Sequence, residues 1–173
     1  MNGAVKARLL DLDHTWSRRL QISSQPGLLR TLEIFIAHSG DSWFVLIAIG
    51  LTWWLGDSEW KDLAVALATG VIVTALAVLV IKLIVRRERP AGEWGGIYRK
   101  TDPHSFPSGH AARAVMVAVT ALGLAPAWLG IALCIWAPLV CLSRVVMGVH
   151  YLFDVLAGML LGSAIGLLIV CLA

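Results

Sequence analysis

The chain has 173 residues, room for one domain, and 58% of them are hydrophobic while only 14% are charged. A soluble globular domain is closer to half apolar and a quarter charged, so with a mean hydropathy of +0.80 this composition belongs in a bilayer. The formal net charge of +3 is too small to point to nucleic acid, and three cysteines in apolar runs, at spacings that match no zinc pattern, read as core or lipid-facing residues.

Residues 4–20 alternate Val5, Leu9, Leu12, Trp16 and Leu20 with Lys6, Arg8, Asp11, Asp13, Arg18 and Arg19. That pattern predicts an amphipathic helix lying in the membrane interface, without the continuous apolar core of a cleavable signal peptide. Pro26–Gly27 breaks it, and Leu28–His38 follows as a second interfacial or half-inserted helix. Residues 1–41 are thus expected as an N-terminal interfacial segment and 42–173 as a transmembrane core. Ser42–Leu55 begins the first span, with Trp53, Trp54 and Trp60 marking an interface around an acidic turn. Leu63–Val85 makes the second, and a polar loop covers 86–107. The third runs from Ser108 to Leu124, the fourth from Trp128 to Val146, and the fifth from His150 to Cys171. Gly158, Gly162 and Gly166 recur every four residues along the fifth, a stripe that predicts close helix packing. The expected fold is all-α: an integral membrane helical bundle of five to six transmembrane helices plus the N-terminal interfacial helix.

Three polar islands interrupt the apolar chain. The first is Lys82-x6-Arg89-Pro90; the second is Ser105–Phe106–Pro107–Ser108–Gly109–His110; the third is Ser143–Arg144 with His150 and Asp154. With alternating spans all three fall on one side of the membrane. His150 and Asp154, four apart, would share a helix face, with the carboxylate accepting the Nδ1–H of the imidazole and leaving Nε2 a free lone pair. The backbone N–H groups opening a helix at Ser108–Gly109 are anion donors, and Arg144 can grip phosphate bidentately. Cations and N–H donors around a histidine suit phosphoryl transfer. In that reading His150 attacks phosphorus, and His110 protonates the leaving alcohol and then accepts a proton from water.

These three islands resemble the three-part signature of the type-2 phosphatidic acid phosphatase family, the membrane lipid phosphate phosphatases. The resemblance spans Lys82–Asp154. It implies a metal-independent, cofactor-free phosphatase, with His150 as nucleophile, His110 as acid–base and Asp154 as orienting carboxylate. Lys82, Arg89, Ser108, Gly109, His110 and Arg144 would contact phosphate. It also implies a lipid phosphate substrate: polyprenyl phosphate or diphosphate, phosphatidylglycerol phosphate, phosphatidate or lipid A phosphate. The membrane expected is the bacterial inner membrane, with an extracytoplasmic site. Relatives of this kind usually have six spans, where five can be counted here.

Arg113, one turn after His110, is expected as a further phosphate ligand or as a partner of Asp154. His104 reads as a substrate contact or a solvated loop residue. Arg86 and Arg87 read as interfacial anchors, His14 and His38 as interfacial residues, the tryptophans as membrane belts, and Glu93, Trp94, Tyr98 and Arg99 as shapers of an entrance. Two other classes remain open on the residues alone. One is an anion channel lined by Lys82, Arg89, Arg113 and Arg144, which leaves two histidines and an aspartate unexplained. The other is a metal hydrolase built on His104, His110, His150 and Asp154. Nothing in the sequence sets an oligomeric state.

Overall fold

The computed structural model describes residues 3–21, 27–91 and 102–173. The expected break at Pro26 and the entrance residues Glu93, Trp94, Tyr98 and Arg99 lie outside the described residues. The described chain folds into helices α1 (Gly3–Leu20), α2 (Leu28–Ser39), α3 (Ser42–Leu55), α4 (Ser58–Val85), α5 (Gly109–Leu124), α6 (Ala127–Val146) and α7 (Leu152–Leu172).

Three of them, α4, α6 and α7, are long and apolar enough to cross a membrane. Helix α3 has 14 residues, about 21 Å of rise, and a bilayer core needs about 30 Å. It reaches span length only with α2, from which it bends by 55° across a short break. The second expected span begins earlier than its apolar run. Asp57 caps the helix by accepting from the Trp60 N–H (3.3 Å), so Ser58 and Glu59 form the first turn and not a loop.

Helix α5 is short, 16 residues, and sits at the centre, packed against α4, α6 and α7. Its small residues make that possible: Ala111, Ala112, Ala114, Ala118 and Ala121 are all buried. The glycine stripe of α7 lies against it. A Cβ on Gly158 would come within 2.5 Å of the Ser108 carbonyl oxygen, one on Gly162 would collide with the Ala112 carbonyl, and one on Gly166 would meet the Val119 Cβ at 2.8 Å. The missing side chains therefore set the α5–α7 spacing, and with it the separation of the second and third polar islands. Away from those islands the core is apolar, built from Val45, Ile49, Leu67, Val71, Met116, Val117, Ile165 and Ile169. Large hydrophobics such as Leu76, Ile84, Ile135 and Leu160 face outward, as lipid-facing positions do.

Helix α1 docks on α6 and α7. Its apolar residues Val5, Leu9, Leu12 and Trp16 point outward, while Asp13 and Ser17, four apart, are buried against the bundle.

Candidate active site

The three islands converge at one end of the bundle, where α4 ends, α5 begins and α6 turns into α7. The turn carries His150. Helix α6 stops at Val146, and Gly148 takes φ +66°, a left-handed conformation that glycine adopts without a Cβ clash. The Val149 and His150 N–H groups both then donate to the Arg144 carbonyl (3.2 Å each). His150 is buried. Arg89 donates through Nη1 to the Val149 carbonyl (3.0 Å), and the same nitrogen lies 3.0 Å from His150 Nε2. A guanidinium offers only donors, so Nε2 must be the acceptor and the ring proton must sit on Nδ1. Burial, reinforced by the charges of Arg89, Arg144 and Lys82, holds the imidazole pKa well below its usual value. The resting ring is neutral, with its lone pair toward the cations.

The His150–Asp154 relation differs from a pair on one helix face. His150 precedes α7, and Asp154 is the third residue of its first turn. Asp154 Oδ2 accepts from the Tyr151 N–H (2.9 Å), reaching back to the start of its own helix, and stands 3.8 Å from His150 Nδ1, beyond hydrogen-bond length. Its Oδ1 accepts from Arg87 Nη1 (2.7 Å). Arg87 is thus no interfacial anchor. Its Nη2 donates to Asp13 Oδ2 (2.7 Å), and its guanidinium lies 4.1 Å over the Tyr151 ring. Asp13 Oδ1 accepts from the Phe153 N–H (3.0 Å) and Ser17 Oγ from the Leu152 N–H (2.8 Å). Two side chains of α1 therefore satisfy the orphan N–H groups of α7, a cap supplied from another helix.

The basic groups form a clamp. Lys82 Nζ and Arg89 Nη2 both bind Asp102 Oδ2, Arg89 at 2.7 Å, and Arg89 Nε also donates to the Asp102 carbonyl (2.7 Å). Burial would raise the Asp102 carboxyl, but the hydrogen bond and charge of Lys82 and the charge of Arg89 outweigh it and hold it below the usual carboxylate range. An anion thus already lies between the two cations. Arg144, fully buried, lies near enough to both His150 and His110 for its charge to act on each. Ser108 caps α5, its Oγ accepting weakly from the Ala111 N–H (3.5 Å), and its own N–H donates to the Asp154 carbonyl (2.9 Å). His110, in the first turn of α5, bonds through Nε2 to Asp41 Oδ1 (2.7 Å).

A sequence model of the PAP2 superfamily matches residues 62–173. The decaprenylphosphoryl-5-phosphoribose phosphatase of Mycolicibacterium smegmatis is 37% identical over 145 residues, 79% of this chain and 74% of that protein. The undecaprenyl-diphosphatase of Sulfolobus acidocaldarius is 32% identical over 150 residues, 84% and 71%. Among solved structures, the transmembrane PAP2-type phosphatidylglycerolphosphate phosphatase of Bacillus subtilis superposes with a TM-score of 0.74 at 25% identity, covering 97% of this chain and 85% of that one. Aquifex aeolicus LpxE shares the fold, with a TM-score of 0.72 at 22% identity over 92% and 95%. The chain belongs to the PAP2 superfamily. It is an integral membrane protein and a lipid phosphate phosphatase.

Within this PAP2 site some residues sit where the motif spacing led, and others do not. Arg113 does not meet Asp154. Its Nη2 donates to the Gly40 carbonyl (2.6 Å), because the face of α5 that carries His110 and Arg113 looks toward the α2–α3 break. His104 forms an isolated antiparallel bridge with Glu88. His14 stacks on Tyr151 (4.6 Å between ring centres), and His38 bonds through Nδ1 to Asp41 Oδ2 (2.9 Å), so both are tied to the site's walls. Trp136 donates to Ser39 Oγ (2.9 Å) inside the bundle and departs from the belt pattern. Motif spacing missed Asp13, Asp41, Arg87 and Asp102. The available signal was charge accounting: buried cations and histidines call for acidic partners, which Asp13, Asp41 and Asp102 supply. Among the described residues no three His, Cys, Asp or Glu side chains group in a way that could hold a metal ion.

Proposed function

We propose that this PAP2 enzyme hydrolyses the phosphate or diphosphate of a polyprenyl-type lipid through a phosphohistidine on His150. The observation that carries the reading is the Arg89–His150 contact, because a donor-only guanidinium on Nε2 requires a lone pair there. In the first step Nε2 attacks phosphorus, the bond from phosphorus to the leaving oxygen breaks, and His110 gives that oxygen its proton. In the second, water attacks phosphorus, His110 takes the water proton, the P–N bond breaks, and inorganic phosphate leaves. Lys82, Arg89, Arg144, Ser108 and the Gly109 N–H hold the non-bridging oxygens, with Asp102 displaced from the clamp. A shift of roughly 1 Å brings Asp154 Oδ2 onto the Nδ1–H and stabilises the cationic ring as the P–N bond forms.

The polyprenyl assignment draws on relatives named for decaprenylphosphoryl-5-phosphoribose and for undecaprenyl diphosphate. The site lies at one end of a bundle with little mass outside the apolar helices, which suits a head group whose tail stays in lipid. We assign five crossings, counting α2–α3 as one bent span and α5 as a short central one, in a bacterial inner membrane with the site on the extracytoplasmic side. Arg87, Arg89 and Arg144 are engaged inside the site region and do not count as topology signals. The test is phosphate release by the purified protein from undecaprenyl diphosphate, decaprenyl phosphate, phosphatidylglycerol phosphate and phosphatidate. The prenyl substrates should be turned over fastest, and His150→Ala should release nothing while running as a folded protein. Full activity in His150→Ala would sink the mechanism, and faster turnover of a glycerolipid would sink the substrate class.

A further inference from the structure

Asp41 stands at the start of α3, where an aspartate ordinarily turns its carboxylate onto the first N–H groups of its own helix. It makes no such bond. Its two oxygens go elsewhere, Oδ1 to His110 Nε2 at 2.7 Å and Oδ2 to His38 Nδ1 at 2.9 Å. The backbone beside it is pinned by Arg113, which donates to the Gly40 carbonyl, and Gly40 is packed against Val140 of α6. A local rule of helix capping is thus given up, and the carboxylate is spent on a side chain of the site.

We propose that Asp41 is a positioning residue for His110, the counterpart, across the site, of Asp154 beside His150. A carboxylate only accepts, so it holds one ring proton of His110 on Nε2 and stabilises the doubly protonated ring, whose second proton, on Nδ1, passes to the leaving oxygen. His38, half-exposed, holds the second oxygen and keeps Asp41 in register. The charged neighbours facing this pair are Arg113 on α5 and Arg144 on α6, both cations, so the Asp41 carboxylate is the acidic group that offsets them at His110. The proposal rests on reading His110 as the acid.

The test compares two probes, dodecyl phosphate, whose alcohol needs a proton to leave, and p-nitrophenyl phosphate, whose phenolate does not. Asp41→Asn should lower kcat on dodecyl phosphate by on the order of 100-fold, within the range of a general acid, and on p-nitrophenyl phosphate by about threefold or less. In a His110→Ala background it should cost nothing further, because a residue acting through His110 has nothing left to position. Equal losses on both probes, or losses that multiply in the double variant, would overturn the proposal while leaving His110 as the acid. If His110→Ala itself fails to discriminate the probes, the acid assignment falls and Asp41 with it. Should Asp41→Asn not fold, Asp41→Glu takes the same two-probe comparison, and an equal loss there is equally fatal.

Discussion

Replacing Arg87 should do more damage than replacing any basic residue other than Lys82, Arg89 and Arg144. Its guanidinium bridges two carboxylates, Asp13 and Asp154, each with no exposed side-chain surface, through two 2.7 Å hydrogen bonds. Arg87→Met keeps much of the aliphatic bulk and leaves two buried carboxylates with neutral donors among the described residues: the Phe153 N–H and Ser17 for Asp13, the Tyr151 N–H and the Ser105 side chain for Asp154. Breaking a buried pair by removing one partner typically costs about 3–5 kcal/mol. For a chain of this length that corresponds to an apparent Tm lower by on the order of 10 °C. The assay is thermal unfolding in detergent at a fixed scan rate, alongside phosphate release at a temperature where both proteins are folded. Arg86→Met is the control, since Arg86 is exposed and, among the described residues, its side chain donates to the Leu83 carbonyl at the end of α4. Adding Asp13→Asn to Arg87→Met should recover part of the lost stability, because one of the stranded charges is removed. A Tm change of less than about 2 °C with unchanged turnover would refute the claim that this bridge holds the N-terminal helix to the turn that carries His150.

Gly162→Ala puts a Cβ into the Ala112 backbone and should lower the apparent Tm by several degrees, consistent with about 1–3 kcal/mol for overpacking, whereas Gly50→Ala, with nothing within 4 Å, should not. Asp102→Asn removes the anion that competes for Lys82 and Arg89, so inorganic phosphate should inhibit several-fold more strongly; weaker inhibition would mean that Asp102 helps to build the clamp and does not merely occupy it. Because the His150 pKa is depressed, an unfolded imidazole takes up a proton below about pH 6.5 that the buried ring refuses, so stability falls as pH drops through that value toward the folded pKa. Apparent Tm measured from pH 7 to pH 5 should show this slope, and His150→Asn should flatten it.

Sequence alone determined the class of molecule and the chemistry. An apolar chain interrupted by three polar islands is readable because each island breaks a strong local expectation: a lysine at the end of one apolar helix, a Pro-Ser-Gly helix start, and a histidine and aspartate where lipid-soluble residues should be. The glycine stripe was readable for the same reason, since periodicity is a property of the chain itself. The convergence of the islands at one end followed from counting spans.

The tertiary structure decided the partners. Whether Asp154 bonds His150 or Arg87, and whether Asp13 faces water or caps α7, depends on which helices end next to each other. No spacing within a helix encodes that. His150 lies in a turn ahead of α7 because Gly148 reverses the chain there, so a spacing of four residues did not become one helical turn. The acids that accompany the cations, Asp13, Asp41 and Asp102, are 28 or more residues apart along the chain, and buried charge must be matched in space and not in sequence.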